Sequence, residues 1–160
     1  MKKLILIFGL TSLGAWAQPA VMFTGQSGAI PISPSQWHVA YAKYSFAVDG
    51  GAVSTITPVG TALIPDNAVL VGATINSTTA VTSGGSATVA IGTSAGSSTT
   101  SILGATGKAS FTLDALLNGV PVFATPVKMT AAGSVTFTIG TAALTAGVIE
   151  VFIYYVIPQA

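Results

Sequence analysis

The sequence predicts an all-β protein, an antiparallel sandwich or barrel of about eight strands. Two observations carry this. Short runs of Val, Ile, Thr, Phe and Tyr recur from Trp37 onward, separated by Gly, Pro and Asn. Within them apolar and hydroxyl side chains alternate, most clearly at Val135-Thr136-Phe137-Thr138-Ile139 and more weakly at Ala87-Thr88-Val89-Ala90-Ile91. Strict alternation places one set of side chains on a core and the other on the opposite face.

Other strands are expected over 39–48, 53–58, 68–78, 120–124 and 147–157. The last contains Val148-Ile149-Glu150-Val151-Phe152-Ile153-Tyr154-Tyr155-Val156-Ile157, which is nearly continuously apolar. Such a run belongs centrally in a sheet or in an oligomer interface. Leu113-Asp114-Ala115-Leu116-Leu117-Asn118 suggests a helical turn, and the Ser/Thr/Gly-rich 93–101 suggests a loop. Asp49-Gly50-Gly51 and Pro65-Asp66-Asn67 read as turns, because Asp bonds its neighbouring backbone and Gly accepts positive φ. Residues 82–95 echo 130–143 at an offset of 48, with eight of fourteen pairs identical. One echo is too few for a solenoid. It fits two equivalent strands in a pseudo-symmetric sandwich such as a jelly roll, or convergent Gly/Thr/Ala composition.

Three segments divide the 160 residues. Residues 1–17 read as a secretory signal peptide: Lys2-Lys3, an apolar run from Leu4 to Leu13, then Ala15-Trp16-Ala17. The run falls short of the ~20 residues of a membrane span, so no stable span is expected after cleavage. Residues 18–36, with Pro19, Pro31 and Pro34, read as an extended arm or linker. Residues 37–160 form the β domain. This reading makes the protein exported.

Charge is scarce. Asp, Glu, Lys and Arg make up 6% of the chain, against roughly 25% in ordinary soluble domains. The formal charge is +1, but cleavage after Ala17 leaves three lysines against four acids, a balance of −1. No basic patch exists for nucleic acid. There is no cysteine, which excludes disulfides, thiol catalysis and thiolate metal sites. A surface built from Ser, Thr, Asn and Gln is prone to associate.

Motifs for chemistry are present only in outline. Gly92-Thr93-Ser94-Ala95-Gly96 spells the nucleophile elbow, but a poor helix start follows it. The single histidine, His38, precedes the serine where that fold places it after. Gly104-Ala105-Thr106-Gly107-Lys108 has the wrong spacing for a phosphate loop, and Ala109 stands where Ser or Thr is required. One histidine cannot make a typical zinc site. Asp49, Asp66 and Asp114 are dispersed, without the spacing of a calcium loop or a facing pair of glycosidase carboxylates. Asn76-Ser77-Thr78 fits the glycosylation pattern and reads more simply as strand-end sequence. No catalytic residue, metal ligand or cofactor is expected, and the chain is read as not an enzyme. Trp37, Tyr41, Tyr154 and Tyr155 are the candidate interface or ligand surface.

The stretch from Tyr44-Ser45-Phe46-Ala47-Val48-Asp49-Gly50-Gly51 to Thr57 resembles a pattern in small phage virion structural proteins of capsid-decoration or fibre type. Ile64-Pro65-Asp66-Asn67-Ala68-Val69, the Thr-Ser-Gly-Gly-x-Ala-Thr-Val step at 82–89, and Thr-Ala-Ala-Leu-Thr-Ala-Gly at 141–147 follow in order. The resemblance covers roughly 44–157. It implies a jelly-roll virion component, homo-oligomeric with a trimer favoured, within a larger protein assembly. It brings no catalytic residues. A signal peptide departs from it, because virions usually assemble in the cytoplasm. Two settings therefore stand: an exported assembly protein, or a virion. An adhesive module that recognises a cell-surface glycan is the alternative function.

Overall fold

A computed structural model describes residues 37–158. The expected signal peptide at 1–17 and arm at 18–36 lie outside the described residues.

Among the described residues there are ten strands. They are β1 (Trp37–Ser45), β2 (Thr55–Ile56), β3 (Leu63–Ile64), β4 (Val69–Ser83), β5 (Thr88–Thr93), β6 (Leu103–Gly107), β7 (Ala115–Asn118), β8 (Val127–Lys128), β9 (Gly133–Gly140) and β10 (Leu144–Val156). One sheet runs β1-β10-β4-β7, with β8 also on β4; the other runs β2-β9-β5-β6, with β3 also on β9. Every pair is antiparallel. β9 has β5 on one side, so β2 and β3 share its other side, as two pieces of one interrupted strand. β7 and β8 share the free side of β4 in the same way. Eight strand positions remain, and the chain passes between sheets in the order of a double Greek key. This is a jelly roll.

The echoed segments become β5 and β9, neighbours in one sheet. Ala90 pairs with Thr138, and these two are also equivalent in the 48-residue echo. Val89 pairs with Ile139 and Ile91 with Phe137. A local two-fold axis therefore passes through the Ala90/Thr138 pair, normal to the sheet.

The inner faces meet in one core. Ala42 and Tyr44 of β1, Leu70 and Ile75 of β4, and Ile149, Val151 and Ile153 of β10 face Val89, Ile91, Val135, Phe137 and Ile139. Tyr44 stacks on Phe137 at 5.5 Å between ring centroids. Its hydroxyl donates to the Gly50 carbonyl at 2.6 Å, which removes the cost of a buried unpaired O–H.

Three sequence expectations change. Residues 113–118 form a turn and then β7, not a helical turn: Asp114 takes φ 58°, which stops a right-handed helix. Residues 120–124 are not a strand but a tight turn closed by a Val122/Thr125 bridge. Pro121 and Pro126 bound this turn, and neither has an N–H for a ladder. The first strand ends at Ser45 rather than 48, because Phe46–Asp49 form one helical turn. The Asp49 carboxylate closes it, accepting from the Ser45 and Val59 amides at 2.8 and 3.2 Å. β10 lies between β1 and β4, the central position its apolar run requires.

Candidate interaction surface

The literal elbow serine has a structural role. The Ser94 amide donates to the Ser134 carbonyl at 2.8 Å, and Ser94 Oγ accepts from the Ser134 amide at 3.0 Å. The flanking glycines are packing requirements. A Cβ on Gly92 would collide with the Ser98 carbonyl oxygen, and Gly96 holds φ +75° against the Ala131 backbone. His38 lies on β1 in the other sheet, stacked on Tyr155 at 5.1 Å. Nucleophile and base are thus on opposite sheets. Gly104–Gly107 are strand β6, and the Lys108 amine donates to the Ser83 carbonyl, so no phosphate cradle forms.

The acids are also occupied locally. Asp66 accepts from the Asn67 amide and side chain at 2.8 and 3.0 Å. Asn76 lies in mid-strand, paired with Glu150 on one side and Leu116 on the other. Among the described residues, no three His, Cys, Asp or Glu side chains gather as a metal-holding group. No helix there is long and apolar enough to cross a membrane.

The outer face of the β1-β10-β4-β7 sheet is different in kind. Cross-strand partners share a face, so the register lays out its rows. Trp37, Val156, Val69 and Lys128 form the first, and Val39, Tyr154 and Gly72 the second. Tyr41, Phe152, Thr74 and Asn118 form the third; Lys43, Glu150, Asn76 and Leu116 form the fourth. Trp37, Tyr41 and Tyr154 are 41%, 38% and 39% exposed.

Their rings run as a stripe. Trp37 meets Phe123 edge-on at 5.5 Å. Tyr154 leans over Gly72, where an added Cβ would lie 3.4 Å from its Cδ2. Tyr41 packs against Phe152 at 5.2 Å, and its hydroxyl donates to Glu150 Oε1 at 3.0 Å. The Lys43 amine stands 3.6 Å from the same carboxylate oxygen. Burial, then the hydrogen bond and charge of Glu150, raise the Tyr41 hydroxyl above its usual pKa.

Tyr155, the fourth residue expected on this surface, is not on it. It follows Tyr154 in a strand, so it points to the opposite face and is 8% exposed in the core. Phe123, in the turn after β7, is 73% exposed beside Trp37. Its place there was not legible in the sequence, because no strand period ties 123 to 37.

No protein-family model matches the chain, and no curated protein matches it. Solved structures do. It is similar to a chain of the cyanophage Pam1 capsid asymmetric unit, with 18% identity and a TM-score of 0.58, over 88% of this chain and 100% of that one. It is similar to a chain of the Ralstonia phage GP4 capsid, with 15% identity and a TM-score of 0.55, over 84% and 93%. A chain of the acid-stable capsid of Helicobacter pylori bacteriophage KHP30 aligns with 12% identity and a TM-score of 0.55, over 77% and 89%. At these identities the likeness establishes that the chain has the fold of phage capsid chains.

Proposed function

We propose that the protein is a structural component of a phage virion. It forms a homo-oligomer, with a trimer favoured, and adds to a larger protein shell without catalysing a reaction. The observation that carries this reading is the jelly roll shared with chains from three phage capsids, over nearly the full length of each. A charge-poor surface supports it. Val48, Val53 and Val59, on the connections from β1 to β3, and Leu63, at the start of β3, are exposed, Val59 at 80%. Asp49 ties two of these connections together through the Val59 amide. Apolar side chains held in place at a surface suit a protein contact.

Mass spectrometry of purified particles tests it. The expected result is this chain in virions, in copy number comparable to the main shell subunit. Its absence from virions, with recovery from the host envelope or medium, overturns the reading.

The second reading is an exported assembly protein, favoured by the Lys2-Lys3, apolar, Ala15-Trp16-Ala17 pattern. Sequencing the native N-terminus separates the two. A start at Gln18 supports export, and a start at Met1 or Lys2 opposes it.

A further inference from the structure

We propose that the outer face of the β1-β10-β4-β7 sheet is a binding platform for a neutral, hydroxyl-rich polymer, a polysaccharide chain. The proposal is independent of the virion reading.

Ring orientation comes first. Tyr154 stands across from Gly72 and leans over the space that a side chain would fill. Tyr154 keeps 39% of its surface exposed there. Tyr41 lies across the sheet towards Glu150, held by its hydroxyl and backed by Phe152. Tyr41 keeps 38% of its surface exposed. An exposed ring face is electron-rich and attracts the slightly positive C–H groups of a flat apolar surface. A sugar ring offers such a surface, with hydroxyls around its edge. Tyr154 lies opposite Val39, midway between Trp37 and Tyr41 on β1. The three residues therefore stand on successive outward rows about 7 Å apart along the strands, a spacing on the scale of a sugar unit.

Hydrogen-bonding groups border the stripe. Thr74 lies beside Phe152, Asn76 beside Glu150, and Asn118 beside Thr74. Among the described residues, Glu150 Oε1 takes the Tyr41 contact and faces Lys43. Oε2 remains as an acceptor for a hydroxyl. A few placed polar groups beside an apolar floor orient a ligand.

Charge selects the ligand class. The rows of Tyr154 and Tyr41 carry no ionic side chain. Lys43 and Glu150 compensate each other, and Lys128 stands at a corner. A neutral polymer fits this field.

The test uses the full chain on an array of neutral and acidic glycans, followed by titration of retained neutral oligosaccharides. Binding should favour neutral glycans. Tyr154→Ala should lower affinity at least about tenfold with the thermal midpoint little changed, and Tyr154→Phe should retain binding. Glu150→Gln should weaken binding without abolishing it. Retention of no neutral glycan overturns the proposal, as does unchanged affinity in Tyr154→Ala. Sedimentation showing a dimer that Tyr154→Ala dissociates would assign the face to a second copy and also overturn it.

Discussion

The Ser134 amide donates to Ser94 Oγ at 3.0 Å, while the Ser134 carbonyl accepts from the Ser94 amide. These two residues face each other where β5 has just ended and β9 begins. The hydroxyl that a sequence motif would make a nucleophile instead closes the start of β9. Ser94→Ala should therefore cost about 1 kcal/mol, the scale of one lost hydrogen bond. Urea unfolding measures that cost. A fluorophosphonate probe should label neither wild type nor variant, and labelling of Ser94 would contradict the structural role.

Tyr44 links the core to the turn after β1. Burial, and after it the Asp49 carboxylate, push its hydroxyl from 10.0 to about 12. Between those values the unfolded chain has released a proton that the folded chain still holds. Stability is thus untouched by this group below pH 10 and falls as pH rises from 10 towards 12. Tyr44→Phe should cost about 1 kcal/mol at neutral pH, because the Gly50 carbonyl loses its donor. It should also flatten the alkaline slope. Urea midpoints below pH 10 and above it, for both proteins, check the sign.

Thr136 is a buried polar exception. Its side chain is 1% exposed, and its Oγ1 has no hydrogen-bond partner among the described residues. It lies opposite Gly92, where the Ser98–Thr99 backbone crosses closely. An unpaired buried hydroxyl costs more than the methyl of the same shape. Thr136→Val should raise stability by about 1 kcal/mol, read as a higher urea midpoint. A lower midpoint would show that the hydroxyl has a partner in solution.

The turn between β9 and β10 stores strain. Thr141 has φ 68°, and the Ala142 amide reaches the Gly140 carbonyl at 2.8 Å, a γ-turn of the disfavoured hand. A β-branched residue is an outlier there. Thr141→Gly should relieve that strain, less the extra freedom given to the unfolded chain, for a net gain of about 1 kcal/mol. Calorimetry should show a thermal midpoint raised by several degrees. No gain would mean that the side chain contributes contacts that offset the strain.

Much of this protein is determined locally, by residue order alone. Alternation at 135–139 and 87–91 made β9 and β5, because a pleated strand sends neighbours to opposite faces. The apolar run 148–157 made a central strand, since its inward residues need a core and its outward residues a neighbour. The turn at Asp49 followed from carboxylate and glycine chemistry. The poverty of charge, the missing cysteine and the lone histidine already removed most catalytic constellations. Tertiary structure decided what depends on register between distant segments. It set Ala90 beside Thr138, split one strand position into β2 and β3, and turned 115–118 into an edge strand. It put Tyr154 outside and Tyr155 inside, which composition alone does not distinguish. It also brought Phe123 to Trp37, and Tyr41 to Glu150 across 109 residues. A sequence period reports only which side of its own strand a residue occupies. The partner across the gap is chosen by strand order, which arises when the two sheets close on one core.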